Sequence, residues 1–312
     1  MPKIAVIQHA PKVLDRAATL DAVAQYIADA AVENAELIVF PEAFVPGYPA
    51  WIWRLRPGGD WNASEQIHQR LLDNAVDLVA DGLEAVRVAA KENNVTVVLG
   101  INERDGTLGR TTLYNTVVII GPNGDLLNRH RKLMPTNPER MVWGFGDGSG
   151  LRAVDTPVGR IGTLLCWENY MPLARFSLYA QGIDIHIAPT YDSGENWIGT
   201  MRHIAREGGC WVVGAGVALR RRDLPEDFPD RDSLYPPEED WINPGDSVVV
   251  APGGEVLAGP LHEHQDILYA EVDPSRAALA RRTFDVSGHY SRPDLFTLKV
   301  NRVKQSPVDF DP

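Results

Sequence analysis

Residues 160–175 read RIGTLLCWENYMPLAR, and the rest of the chain is organised around them. The short, mostly apolar run 161–165 has the character of a buried strand. Pro172 suits the first turn of a helix over 172–181, since proline is tolerated there and not further in. Cys166 therefore sits where a buried strand hands over to a helix. A strand fixes a nucleophile in place there, and helix N–H groups nearby favour negative charge. A cysteine at such a place is also a good small buried hydrophobe. These residues alone leave both readings open.

Outward from this stretch, strands and helices alternate. Residues 3–8, 37–40, 95–101 and 113–120 read as strands before it, and 183–187 and 210–217 after it. Helical spacing of apolar residues predicts helices over 14–34 and 196–207, and one long helix over 64–92 with Ile67, Leu71, Val79, Leu83, Val86 and Ala90 on one face. Short strands at 151–154, 247–251, 255–257 and 267–272 complete the set, and 126–134 is partly extended. The segment 224–245, rich in prolines and acids, reads as a surface excursion. In the last thirty residues, Phe296, Leu298 and Val300 alternate as in an edge strand. Apolar strands alternating with helices make the chain α/β, with sheets covered by helices. No change of composition marks a second domain.

The chain has 312 residues, is 44% hydrophobic and carries a formal net charge of -12. That charge speaks against a nucleic-acid or anionic-membrane partner. No apolar run reaches the roughly 18 residues of a membrane span. The N-terminal MPKIAVIQHA lacks the pattern of a signal peptide, so a soluble, cytoplasmic protein is expected. Two cysteines, Cys166 and Cys210, make no disulfide framework. Cys210, next to WVVGAGV, reads as a buried structural thiol.

Glu42 lies at the C-terminal end of a strand in FPEAFVPGYP, where α/β folds place ligand sites. It is a candidate base behind an apolar wall, or a turn glutamate. Lys132, in RHRKLMPTNPER, either points inward to lower a thiol's pKa or belongs to a solvated basic turn. Glu139 reads there as an exposed acid beside Arg140. WGFGDGSG (143–150) matches no phosphate-binding fingerprint and is a loop. His262-Glu263-His264 is a weak metal pattern that fits a surface loop better. Tyr48, Trp51 and Trp53 follow Glu42, and Trp167, Tyr170 and Met171 follow Cys166. Tyr191 lies in 190–197, beyond another strand end. These are the pocket candidates, Tyr48, Trp51, Trp167 and Tyr191 foremost.

Taken together, FPEAFVPGYP, HRKLMPTNPER and CWENYMPLAR, in that order, resemble the signatures of the nitrilase branch of the carbon–nitrogen hydrolase superfamily. Cysteine followed by Trp167 and Glu168 is similar to true nitrilases more than to amidase relatives. The resemblance continues through WGFGDGSGL, VLAGP (256–260) and DVSGHYSRPD (285–294). It implies a four-layer α-β-β-α sandwich in a single domain over 1–282, with 283–312 a tail used in oligomer contacts. It implies a catalytic Glu42–Lys132–Cys166 triad supported by Glu139, no metal and no cofactor. It implies a small nitrile as substrate, converted to acid and ammonia, and a homo-oligomer, at least a dimer and in many relatives a spiral filament. An amidase, a cyanide-degrading enzyme and a catalytically silent assembly protein are the alternatives.

Overall fold

The computed structural model describes residues 1–56, 58–306 and 308. Its strands, numbered in chain order, form two sheets. The first holds β1 (Lys3–Gln8), β2 (Ala35–Val39), β3 (Thr96–Arg104), β4 (Leu113–Ile120), β5 (Leu126–Arg131) and β13 (Asp266–Glu271), in the order β13-β1-β2-β3-β4-β5. The second holds β6 (Val154–Thr156), β7 (Gly159–Thr163), β8 (Ile185–Thr190), β9 (Trp211–Gly216), β10 (Ala218–Arg220) and β11 (Trp241–Val250), in the order β10-β11-β9-β8-β7-β6. β12 (Val256–His262) pairs with β11.

Side-chain alternation along the strands builds the layers. In β1, Ile4 and Val6 face the second sheet, while Ala5 and Ile7 face helices α1 (Arg16–Val32) and α3 (Glu84–Glu92). In β9, Trp211 and Val213 face the first sheet. Val212 faces the layer of α4 (Pro172–Tyr179) and α5 (Glu195–Gly208). Three apolar cores thus separate four layers, α-β-β-α, as the resemblance implied. β1, β2 and β3 run parallel, as do β7, β8 and β9. Glu42 follows the end of β2, Cys166 follows β7 and Tyr191 follows β8, so they gather beyond the same ends of the sheets.

Four expectations are corrected. The predicted helix over 64–92 is two helices, α2 (Trp61–Asp73) and α3. Between them Val76 bonds to the edge of β3 on both sides, its N–H to Asn102 O at 2.8 Å and its O from Arg104 N at 2.8 Å. The Asp77 carboxylate then takes the Val79 N–H at 2.9 Å, a local bond that competes with helix. Val79, expected on the buried face, is exposed. Second, a helix missed in the sequence, α7 (Ser275–Thr283), follows β13; its apolar residues are few and Ala277 alone is buried, so it carries little periodicity. Third, residues 296–300 form no strand; Leu295 and Phe296 are exposed.

Fourth, 224–245 is no surface excursion. It contains the short helix α6 (Arg231–Leu234) and the start of β11, and it buries Leu224, Phe228, Leu234 and Tyr235 against Trp51, Ile67 and Leu71. Prolines and acids there mark turns, with the apolar residues between them pointing inward. Tyr235 is fully buried, edge-on to Phe228 and under the Arg54 guanidinium at 4.4 Å. Tyr235→Ala is expected to cost about 3–5 kcal/mol, read as a lower urea midpoint. A loss below about 1 kcal/mol would return the segment to the surface.

Candidate active site

The chain after β2 crosses β3 at Gly100, where a Cβ would lie 2.2 Å from Pro41 O. That close approach brings Glu42 over the sheet. Its carboxylate is buried and fully engaged. Oε1 accepts from Asn115 Nδ2 at 2.7 Å and from Lys132 Nζ at 2.8 Å, and Oε2 accepts from the Tyr191 N–H at 2.8 Å.

Lys132, the residue after β5, points inward and is 1% exposed. Its ammonium bridges Glu42 and Glu139, the second at 2.8 Å. The glycine loop explains how the chain turns here: Gly146 N–H donates to Lys132 O at 2.8 Å, and a Cβ on Gly146 would lie 2.1 Å from Arg131 O. Glu139 is likewise buried, not exposed beside Arg140. It accepts from Tyr48 Oη at 2.7 Å and from the Thr136 N–H at 2.6 Å. Trp53 Nε1 donates to the same Tyr48 oxygen at 2.9 Å.

Burial is the largest influence on the acidities here, and one cation shared by two carboxylates, which leaves the buried cluster one negative charge in excess, acts on top of it. Burial raises the pKa of Glu42; Lys132 opposes this, and Glu139 adds to it, leaving the carboxyl above its ordinary 4.5. Burial alone lowers the Lys132 pKa, but Glu42, Cys166 and Glu139 outweigh it, and the ammonium is held charged. Cys166 is raised by burial and by Glu42, with Lys132 acting the other way, so the resting group is a thiol. Cys210 is pushed up to about 12, chiefly by burial, and lies in the core beside α5. Both thiols are free.

Cys166 opens a short 3-10 turn, Cys166–Tyr170, with φ 47°, a left-handed conformation unusual for a side chain with a Cβ. Two buried side chains brace it. Glu168 accepts the Leu165 N–H at 2.7 Å, the Leu133 N–H at 2.6 Å and His130 Nε2 at 3.1 Å. One carboxylate thus ties the residue before Cys166 to the residue after Lys132. Asn169 Nδ2 donates to Cys166 O at 2.8 Å, and its Oδ1 lies 2.7 Å from His186 Nε2. Burial lowers the His186 pKa to about 3, so this ring is neutral and donates.

A cleft of about 300 Å³ opens over Cys166 and Glu139, lined also by Tyr48, Trp53, Thr136, Trp167, Tyr191, Asp192 and residues 242–244. Tyr48 and Tyr191 stack at 3.9 Å. Trp167 stands half exposed at the rim, its Nε1 donating to Asp192 Oδ2 at 2.9 Å. Trp51 is placed elsewhere. It packs on Phe228 and lines a neighbouring pocket of about 240 Å³, and Trp53 takes the cleft position. Asn115, Asn169 and Asn243 were missed. Asn115 had a signal, a polar residue inside the apolar strand LYNTVVII. Asn243, which holds Tyr191 O at 2.5 Å, was hidden in the segment read as surface. Among the described residues no group of three or more His, Cys, Asp or Glu is placed to hold a metal, and no helix is long and apolar enough to cross a membrane.

Glu168 yields a pH-dependent expectation. Burial raises its pKa, but His130 and the Leu133 and Leu165 N–H groups more than offset this, and the net shift is downward. Its stabilisation is therefore complete above the ordinary 4.5 and is lost as pH falls through the lowered folded value. Glu168→Gln puts an amide N–H against a backbone N–H and is expected to cost about 3–5 kcal/mol at pH 7. Urea midpoints of the two proteins should converge on acidification; a gap independent of pH contradicts the clamp.

The carbon–nitrogen hydrolase family description matches residues 3–282. Nitrilase 3 of Arabidopsis thaliana is 41% identical over 312 residues, covering 99% of this chain and 89% of that protein. An aliphatic nitrilase of Sinorhizobium fredii (strain HH103) is 40% identical over 307 residues, covering 98% and 97%. Among solved structures, the C. elegans NitFhit protein superposes with a TM-score of 0.74 at 23% identity, covering 98% of this chain and 68% of that one, a likeness of fold. With a family match across the body of the chain and nitrilases aligned along almost all of it, the protein belongs to the carbon–nitrogen hydrolase family, in its nitrilase branch.

Proposed function

We propose that this nitrile-hydrolysing enzyme of the nitrilase branch works through Cys166 as nucleophile, Glu42 as base and Lys132 as fixed cation, with Glu139 holding the lysine. The observation that carries the reading is the cluster itself. A thiol on a strained elbow opens into a cleft, beside a carboxylate whose pKa is raised and an ammonium that cannot discharge.

A nitrile carbon is a modest electrophile and calls for a strong nucleophile. The thiol is protonated at rest, so its proton must leave as sulfur attacks. Glu42 takes it, and the S–C bond forms as one C≡N π pair moves to nitrogen. Glu42 passes that proton to the nitrogen, which gives the thioimidate and restores the carboxylate. Water adds, its oxygen bonding to carbon while one of its protons goes through Glu42 to the nitrogen; the new hydroxyl then gives its remaining proton to the nitrogen by the same route, and the tetrahedral centre expels ammonia. A thioester remains; a second water hydrolyses it to the carboxylic acid and restores the thiol. In this reading Lys132 and the Trp167 backbone N–H, in the first turn after Cys166, stabilise the charge that develops in the tetrahedral states. In sum, one nitrile and two waters give one acid and one ammonia.

The cleft sits at the lower end of ligand-pocket sizes, roughly 300–1,000 Å³. That size and the aromatic walls support small aryl and arylaliphatic nitriles. Exposed Trp167, Tyr170 and Leu173 around α4 support pairing of two copies through α4 and α5. Exposed Leu295, Phe296 and Val303 support oligomer contacts by the tail beyond the 1–282 domain. A cytoplasmic setting suits two free thiols.

Ammonia release from benzonitrile and phenylacetonitrile tests the reading. Cys166→Ala is expected to abolish it with the fold retained by circular dichroism; substantial residual turnover would sink the assignment. Glu42→Gln should lower kcat about 10²–10⁴-fold. The base must be ionised, and its pKa is raised, so kcat/KM should fall on acidification at a pH above the ordinary carboxyl value of 4.5. An acid limb at or below 4.5 would move the base role away from Glu42.

A further inference from the structure

The charged side chains that line the cleft are of one sign, the Lys132 ammonium lying buried beneath them. Among its lining residues the ionised side chains are Glu139 and Asp192, with no lysine or arginine. Glu139 is matched by Lys132 beneath it. Asp192 is different. Its carboxylate accepts from Trp167 Nε1 at 2.9 Å, from Tyr170 Oη at 3.4 Å and from the Ser193 N–H at 2.9 Å, all neutral donors. It makes no ion pair within 4.0 Å among the described residues. Arg54, whose charge reaches Tyr191, is bound on both nitrogens by Glu239. The buried Glu42–Lys132–Glu139 cluster adds one further net negative charge. The remaining walls are π faces, Tyr48 stacked on Tyr191 with Trp53 and Trp167, which attract cations and planar rings.

We infer that the cleft discriminates by charge, admitting neutral and cationic aromatic nitriles and rejecting those that carry a carboxylate, with Asp192 as the specificity-determining residue. The same field acts on the product. Hydrolysis turns a neutral nitrile into a carboxylate inside a cleft that repels it, which favours its release. A unit charge at the separations such a cleft allows changes a rate on the order of tenfold at the effective dielectric of a partly exposed site. This inference rests on the site assignment above for its substrate class, so its test includes a probe that needs no turnover.

The first arm alkylates Cys166 with iodoacetamide, which is neutral, and iodoacetate, which is anionic, in wild type and Asp192→Asn. Asparagine keeps an acceptor for Trp167 Nε1, and the ratio of the two rates within each protein cancels changes in thiol reactivity. Cys166→Ala gives the background. Iodoacetate is expected to be disfavoured in wild type, and Asp192→Asn should raise its relative rate several-fold. Raising salt from about 0.1 M to about 1 M, which shortens the screening length from about 10 Å to about 3 Å, should narrow the gap in wild type more than in the variant. The second arm compares kcat/KM for benzonitrile, 4-(aminomethyl)benzonitrile and 4-cyanobenzoate. The anion should be poorest in wild type, and its deficit should shrink in Asp192→Asn. An alkylation ratio that neither the substitution nor salt moves overturns the inference. A shifted ratio with no nitrile turned over upholds the charge selectivity and overturns the nitrilase reading instead.

Discussion

One ammonium buried between two carboxylates organises this molecule. Isolating a charge from water costs several kcal/mol unless its partners are close and well aligned. Lys132 meets that condition with Glu42 and Glu139 both at 2.8 Å. The partners come from three separate parts of the chain, after β2, after β5 and from the turn at Asn137–Met141. The sheets, the glycine loop and the Tyr48–Trp53 pair all serve to close these distances. Burial raises the affinity of Glu42 for protons, and because two acids share one ammonium, Lys132 offsets only part of that rise. The burial that makes the cluster costly to fold is thus also what suits Glu42 to the proposed role of base.

The elbow at Cys166 shows a second economy. Its left-handed backbone would relax if it were free, and Glu168 and Asn169 hold it from the two residues that follow the Trp167 position. The motif CWEN therefore carries its own brace: proposed nucleophile, rim, clamp and prop in four consecutive residues. Glu168 also reaches Leu133, so one carboxylate holds the backbone beside Lys132 and the backbone beside Cys166.

Much of this was legible in the sequence because it is written in local pattern. Apolar runs marked β1, β2, β4 and β9 closely, while the grouping of Glu42, Lys132 and Cys166 came from the resemblance of their three segments to nitrilases, the residues themselves leaving each role open. What escaped was long-range. From its neighbours alone Glu139 beside Arg140 looks like a surface pair, and its place at Lys132 was implied only by the resemblance of HRKLMPTNPER to nitrilases. The break between α2 and α3 depends on Val76 finding the edge of β3, a partner far along the chain. Residues 224–245 read as surface because their prolines and acids outnumber the four side chains that anchor them. Trp51 and Trp53 are indistinguishable in sequence, and two residues of helical turn send one to the cleft and the other to the pocket behind it.

The central claim is that the reaction passes through a covalent bond to Cys166. Acid-quenching the wild-type enzyme during turnover of a nitrile and measuring the intact and peptide masses tests it directly. A thioimidate adds the mass of the nitrile, and a thioester adds that mass plus water less ammonia. Either adduct on the peptide containing Cys166 is the predicted result. Full turnover with no adduct, or an adduct on Cys210, would contradict the account.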